Sequence, residues 1–432
     1  MLKELIGSSL IGLTAKIISG IGSFLIIPLL LRQLGVQNFG IWMSISSTVG
    51  LASFLDLGIS YNLMNRLSYL NVNGSKAEID KTITMAYLVQ GVIVIILIFI
   101  LSLSFFSLNW NKIYNVPSNF DKSVIYFSFF FFILNLVGNT IYSIQRGLQL
   151  NKLANYWLLF NSIFYVLSIF FLLSFSDNMR ILAIATFGVP LLTSILNTFY
   201  FFHYKKINID LSISLNYKSF SLFMGRGLVF LYLQITGLIA FQIDNLILAH
   251  IMDYKTVTEY NIALKLFTIP SIILGVYFQV LWPKYADFSA KLDILSLRKT
   301  FVRSIIFSAL FVIPFVILIF TFSDELIRFW LKNQFSVSKE LLVAFSIWTI
   351  INLVIATNLG VFYNGIDILK PQVITSFLMV ICNLFLSIFL TRKIGVSGVV
   401  WGSIISSFFL SCLPLLIYLF TKIFNQKNLY RV

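Results

Sequence analysis

The stretch SSLIGLTAKIISGIGSFLIIPLLLRQLGVQNFGIWMSISSTVGLASFLDLGISYNLMNRLS, residues 8–68, decides the fold. From Ser8 to Leu31 it is apolar over a length that crosses a bilayer as a helix, because about 20 residues at a rise of 1.5 Å span the hydrocarbon core. The short basic turn RQLGVQNF then leads into a second apolar run, Gly40 to Asn62. This is the pattern of a helical hairpin in a membrane. Two residues inside it, Lys16 and Asp56, are ones that hydrocarbon rejects, so part of the hairpin faces protein or water.

The same pattern continues along the 432 residues. It predicts twelve spanning helices: Ser8 to Leu31, Gly40 to Asn62, Ile83 to Ser107, Val124 to Ile144, Ala154 to Phe175, Ile181 to Phe202, Ser221 to Ala249, Thr258 to Leu281, Phe301 to Phe322, Leu341 to Tyr363, Val373 to Leu390 and Ser397 to Phe420. Composition agrees, with 59% hydrophobic and 11% charged residues and a mean hydropathy of +0.93; a soluble domain carries about 25% charged residues. The net charge of +15 would suggest nucleic acid in a soluble protein. Here most of the cations lie in short loops, where anionic headgroups and the positive-inside rule place them, and a nucleic-acid partner is not expected. Cys382 and Cys412 both fall in apolar runs and read as buried thiols rather than a disulfide or metal site. The first sixteen residues run into a helix without a small-residue cleavage site, so no cleaved signal peptide is expected.

An even number of spans puts both termini on one side. Sorting Lys and Arg by loop gives seventeen on that side, ten on the other and four within the membrane, which predicts cytoplasmic termini. Trp42, Trp110, Trp157, Trp282 and Trp330 lie near predicted helix ends, as interfacial anchors do. The most polar break, HYKKINIDLSISLNYKSF from His203 to Phe220, divides the chain into an N-terminal lobe of six helices (residues 1–203), a cytoplasmic linker (204–220) and a C-terminal lobe of six (221–432). Two lobes around a central cavity is a transporter plan. The turns LLRQLGVQNFGIW and LTRKIGVSGVVWG, at Leu30–Trp42 and Leu390–Gly402, share Arg and then Gly-Val at equal spacing. Common descent and independent preference for basic, glycine-containing turns both explain that.

Six charges lie inside the predicted spans. On the first helix Ser9, Gly12, Lys16, Ser19, Gly20 and Ser23 form a small, polar stripe by their three- and four-residue spacing. Asp56, on the next helix, lies at a depth that allows an ion pair with Lys16, both roughly 9 to 12 Å from the cytoplasmic end. Arg226 and Asp244, about five turns apart, share a face of the seventh helix, and Lys265 on the eighth lies at a depth comparable to Asp244, a second candidate pair. Arg303 is two residues inside its predicted helix and can snorkel to headgroups. Four cations against two anions favour an anionic cargo such as a phosphate or pyrophosphate. Pro28, Pro190, Pro270, Pro314 and Pro414 fall within predicted helices, where each removes a backbone hydrogen bond.

Beyond these physical readings the chain resembles a known family, the polysaccharide and O-antigen flippases of the multidrug, oligosaccharidyl-lipid and polysaccharide (MOP) exporter superfamily. The resemblance is carried by LLLRQLGVQNFGIW and FLDLGISYNLMNRLS in the first hairpin, IQRGLQLNKLANYW, QIDNLILAHIMDYKTVTEYNIALKLF and YNGIDILKPQ. It implies an all-α membrane fold and a cargo of undecaprenyl-pyrophosphate-linked oligosaccharide moved from the cytoplasmic to the periplasmic leaflet of the bacterial inner membrane by alternating access. It also implies a cationic lumen in which Lys16, Arg226, Lys265 and, ranked last, Arg303 meet the headgroup. Asp56 and Asp244 would then bind a coupling H+ or Na+ or hold ion pairs. Membrane lipids, a polysaccharide polymerase and a chain-length regulator are the other expected partners.

A multidrug exporter and a peptidoglycan-precursor flippase share the superfamily, the first expected to carry more acids in its cavity and the second two further C-terminal helices. A membrane polymerase or glycosyltransferase would need a large outer loop or an acid cluster. The longest outer loop is only SDELIRFWLKNQFSVSKE, residues 323–340, and His203 and His250 lie at helix ends without an acid cluster, so no enzyme and no catalytic or metal site is expected. The absence of a phosphate-binding glycine loop argues against direct use of ATP.

Overall fold

A computed structural model describes residues 2–175, 178–207, 243–332 and 335–424. Among them are ten helices long and apolar enough to cross a membrane. The first of these, Thr14–Leu51, is two helices that meet at a kink at Gly35, the first predicted span and the beginning of the second, so the ten stretches account for eleven of the twelve predicted. Residues 221–242 of the seventh predicted span, with Arg226, and most of the 204–220 linker lie outside the described residues.

The chain forms two units: Met1–Gly35 with Ile45–Ile235, and Val36–Ser44 with Thr236–Val432. The helices in order are α1 (Leu2–Leu51), α2 (Ile59–Asn73), α3 (Lys76–Ser107), α4 (Trp110–Tyr114), α5 (Ser123–Gly147), α6 (Asn151–Phe175), α7 (Met179–Ala183) and α8 (Val189–Lys205). They continue with α9 (Asp244–Ile251), α10 (Tyr254–Ala290), α11 (Ile294–Thr321), α12 (Ser323–Leu331), α13 (Lys339–Ile350), α14 (Thr357–Gly365), α15 (Lys370–Ile394), α16 (Ser397–Ser407) and α17 (Leu413–Tyr418).

In the first unit, Ile59, Leu63 and Leu67 of α2 pack with Ile83, Ala86 and Val89 of α3, Ile141 and Ile144 of α5, and Phe201 of α8. The approach of α2 to α5 is close because Gly147 has no side chain; a Cβ there would lie 2.8 Å from the Met64 carbonyl. Small residues at a helix crossing are how membrane helices gain packing energy without a hydrophobic driving force. Ser75 starts α3 with a capping box, its Oγ accepting from the Glu78 amide at 3.3 Å while Glu78 Oε2 accepts from the Ser75 amide at 2.8 Å.

The second predicted span, Gly40 to Asn62, is not one helix. Helix α1 runs to Leu51, a 3-10 turn covers Ala52–Asp56, and α2 starts only at Ile59. Leu57 and Gly58 between them are both left-handed, with φ 54° and 73°. An apolar run long enough to span concealed this break because no proline marks it.

In the second unit, α15 and α16 cross closely at Gly398 and Gly402, where a Cβ would lie 2.3 Å from the Thr391 nitrogen and 2.5 Å from Ser387 Oγ. Asn383 Nδ2 donates across that seam to Ser403 Oγ at 2.9 Å. Segment Val36–Ser44 belongs to this unit through a comparably tight contact: Thr258 Oγ1 donates to the Val36 carbonyl at 2.7 Å, and a Cβ on Gly40 would fall 2.0 Å from the Tyr254 carbonyl oxygen.

The two similar turns share a backbone conformation. Gly35 has φ 74°, ψ 167° and Gly395 has φ 73°, ψ −149°, a region essentially confined to glycine. Wide π turns interrupt three spans at Ile184–Gly188, Ile351–Ala356, Phe408–Cys412 and Leu419–Ile423. Pro190 and Pro414 each follow one, where the wider turn makes room for a ring that would clash with a carbonyl four residues back.

Candidate functional site

The charged positions separate into three kinds of environment. Asp56 is half-buried and closes the break before α2: its Oδ2 accepts from the Ser60 amide at 3.1 Å and its Oδ1 from Ser60 Oγ at 3.0 Å. The N-cap residue of α2 is Gly58, which has no side chain to cap with, so Asp56, two residues earlier, satisfies one of the free amides of the first turn and sets a negative charge against the positive end of the helix dipole. Lys16 is exposed on α1 and forms no ion pair with it. The expected Lys16–Asp56 pair is therefore replaced by local hydrogen bonds to Ser60, because the chain breaks at Asp56 instead of continuing as helix.

Asp244 is buried at the start of α9, with 3% of its surface exposed. Its Oδ2 accepts from the Tyr260 hydroxyl at 2.8 Å, and its Oδ1 has no hydrogen-bond partner. Beside it, Asn261 Nδ2 donates to Asn245 Oδ1 at 2.8 Å, and Ser44 Oγ donates to the Asn245 carbonyl at 3.4 Å. The turn between α9 and α10 lies at Met252–Asp253, with Asp244 eight residues before it and Tyr260 seven after it, so the two stand at closely similar depth on successive helices. Lys265 is five residues deeper, about 7.5 Å by helical rise, out of register with Asp244. The expected Asp244–Lys265 pair is thus an Asp244–Tyr260 pair. Counting outward from the turn through IMDYKTVTEYN would have found it.

Lys265 is half-buried on α10, and no described carboxylate pairs with it. Its carbonyl accepts from Thr268 Oγ1 at 2.7 Å. Further along its helix lie Gly275, where a Cβ would meet nothing within 4 Å, and the exposed Gln279. These recur at helical spacing with Lys265 and give α10 a polar strip leading from the lysine. Arg303 is exposed on α11, which begins at Ile294, seven residues earlier than predicted.

Buried amides missed by a search for charges hold the units together internally. In the first, Gln145 Nε2 donates to Asn197 Oδ1 at 2.6 Å and Thr193 Oγ1 to Asn161 Oδ1 at 2.8 Å. In the second, Asn358 Nδ2 donates to Ser308 Oγ at 3.1 Å and to the Val354 carbonyl at 3.0 Å, beside a π turn, while Ser304 Oγ donates to Asn358 Oδ1. Outside the spans, Asp121 pairs with Arg180. Partial burial opposes the Asp121 charge, but hydrogen bonds from Ser123 and Arg180 outweigh it and hold the carboxyl below its usual range.

Among the described residues no cluster of three or more His, Cys, Asp or Glu side chains could hold a metal ion. What the geometry offers is a half-buried cation on a polar strip and, separately, a buried carboxyl with one oxygen uncommitted.

Known proteins share this arrangement of helices. The chain is 23% identical over 368 residues to a Yersinia pseudotuberculosis protein named for O-antigen export, covering 83% of this chain and 82% of that one. It is also 23% identical over 309 residues to a Salmonella typhi protein named as an O-antigen transporter, with 69% of each covered. The fold matches the lipid II flippase MurJ in an inward closed conformation, with a TM-score of 0.70 at 17% identity over 96% of this chain and 88% of that one. It matches an inward-facing multidrug resistance MATE family transporter of the MOP superfamily with a TM-score of 0.69 at 15% identity, over 94% and 92%. The polysaccharide biosynthesis protein family matches residues 6–289, and this all-α, multi-pass membrane chain belongs to that family.

Proposed function

We propose that the protein flips an undecaprenyl-pyrophosphate-linked oligosaccharide, an O-antigen or capsule repeat unit, from the cytoplasmic to the periplasmic leaflet of a bacterial inner membrane, with both termini cytoplasmic. The observation that carries the reading is Lys265: a cation half-buried in a spanning helix with no described carboxylate beside it. Such a charge is costly within a membrane unless a ligand or water meets it, and a pyrophosphate supplies the matching anion. Lys16, exposed on α1, and Arg226 are the further cations assigned to the headgroup, and Arg303 contributes least. The polyprenyl tail stays in lipid, where its transfer costs nothing.

Transport is driven by a coupling H+ or Na+. Asp244 is the group assigned to it, since its Oδ1 is buried and uncommitted, whereas both oxygens of Asp56 are engaged by Ser60. The fold alone serves drug exporters equally well, so the test must separate cargoes. In cells lacking the gene, Lys265→Ala should abolish surface polysaccharide at unchanged membrane abundance and Lys265→Arg should restore most of it. Normal polysaccharide from Lys265→Ala, or drug sensitivity in the deleted strain with its polysaccharide intact, would overturn the reading.

A further inference from the structure

We propose that the outer face of α6 and α8 in the first unit is a docking site for a single-chain polyprenyl lipid, with its pyrophosphate headgroup on Lys152, Lys205 and Lys206 and its chain along a file of aromatic rings. The proposal rests on the cargo named above and adds a second place on the protein that holds it. The face is organised around one contact. Trp157 of α6 and Tyr200 of α8 meet with ring centres 5.8 Å apart. Lys152 lies five residues before Trp157 and Lys205 five after Tyr200, so both lysines stand at the same end of the helix pair, and Lys206 follows as the residue that ends α8. Lys152 Nζ lies 5.9 Å from the centre of the Tyr156 ring and Lys205 Nζ 5.4 Å from that of Tyr204. Among the described residues none of the three lysines forms an ion pair, which leaves their charges for an anion from outside the chain.

From the lysines the rings continue into the membrane. Tyr204 stacks on Tyr200 at 6.0 Å, Trp157 meets Phe160 at 5.7 Å, and Phe160 stacks on Phe164 at 5.8 Å. Tyr204, Tyr200 and Phe160 expose 62%, 49% and 46% of their surface, while Trp157 packs against the core of the unit and fixes the middle of the file. Phe164 lies thirteen residues into α6, about 20 Å from its start by the helical rise. Interfacial aromatic residues sit at headgroup level, so anchoring accounts for Tyr204 and Trp157 but not for Phe160 and Phe164. Ring faces carry partial negative charge and attract the allylic C–H groups that every unit of a polyprenyl chain presents and a saturated acyl chain lacks. One file of rings with cations at one end matches one chain with a multiply charged head; a phospholipid with two acyl chains and one phosphate matches neither part.

The test uses photocrosslinking in the full chain, in nanodiscs of phosphatidylethanolamine. p-Benzoylphenylalanine replaces Leu196 of α8, exposed and one turn from Tyr200, or, as the control, Ile95 of α3, also exposed. Radiolabelled undecaprenyl pyrophosphate should crosslink at Leu196 at least about tenfold more than at Ile95. Lys152→Ala, Lys205→Ala and Lys206→Ala together should cut the Leu196 yield about tenfold, and Phe160→Ala with Phe164→Ala about threefold. Lys152 and Lys206 are exposed and Lys205 half-buried, so their loss leaves the fold intact, as membrane abundance checks; if the phenylalanine pair does not fold, the lysine variant decides alone. Equal yields at the two positions, a Leu196 yield that ignores the lysines, or displacement by phosphatidylglycerol as effective as by unlabelled undecaprenyl pyrophosphate would overturn the proposal. Enrichment at Leu196 together with normal export by Lys265→Ala would uphold this site and count against the headgroup role of Lys265. Export that depends on Lys265 without enrichment at Leu196 would overturn this site and leave that role standing.

Discussion

The Tyr260 hydroxyl donates to Asp244 Oδ2 at 2.8 Å inside the second unit, and the other oxygen of that carboxyl has no partner. One donor fixes the orientation of the acid without neutralising it. Oδ1 therefore remains the atom at which a proton or sodium ion would change the charge of a buried site.

Removing the donor and removing the charge should act differently. Tyr260→Phe leaves a buried carboxyl with neither oxygen partnered and should lower stability by about 1–3 kcal/mol, read as a fall in Tm in detergent. Asp244→Asn keeps the shape and should cost less stability, while making transport in proteoliposomes insensitive to an imposed H+ or Na+ gradient. Undiminished, gradient-driven transport in Asp244→Asn would remove this residue from coupling.

Gly40→Ala should be among the most damaging single-methyl additions to the chain. The added carbon would lie 2.0 Å from the Tyr254 carbonyl, so backbone must move. Overpacking of this kind costs roughly 1–3 kcal/mol. Gly91→Ala is the control, because nothing lies within 4 Å of its added carbon, and it should be neutral or stabilising by up to about 1 kcal/mol. Thermal unfolding of the two variants side by side checks the contrast.

Asn358→Leu should strand Ser304 and Ser308 and leave the π turn before it without its side-chain donor. The expected loss is about 1–3 kcal/mol for the unsatisfied buried groups, again as a fall in Tm. An unchanged Tm would mean that the network holds no net stability.

Acid should reveal the Asp121–Arg180 contact. The folded carboxyl is held below its usual range, so its contribution is present above the ordinary aspartate value of about 3.9 and is lost as pH falls through the lower folded value. Because the pair is exposed, the effect is below about 1 kcal/mol. Asp121→Asn should lower Tm slightly at neutral pH and not at all once the wild-type carboxyl is protonated.

Periodicity and length make the spanning helices legible, because a bilayer demands about 20 apolar residues and little else in the chain supplies them. The Gly-Val turns are equally plain, and Gly35 and Gly395 do share their backbone geometry. The break at Leu57 is hidden because left-handed leucine has no sequence signature, and Gly58 alone reads as a helix-packing glycine. Charges are easy to locate and their partners are not. A carboxylate suggests a lysine, but Asp56 finds Ser60 four residues on and Asp244 finds Tyr260 across a turn. Register, which only the turn at Met252 fixes, decides the second case.

If Lys265 meets the pyrophosphate of a lipid-linked sugar as it crosses the membrane, the rate of flipping must depend on its charge. Purified protein in liposomes carrying undecaprenyl-pyrophosphate oligosaccharide on the inner leaflet tests this directly, with a glycosidase outside reporting how fast the sugar appears. Wild type should flip the lipid, Lys265→Arg should do so more slowly, and Lys265→Ala should be at least about tenfold slower, the worth of roughly 1.4 kcal/mol of lost headgroup interaction. Equal rates for wild type and Lys265→Ala would contradict the headgroup role of this lysine.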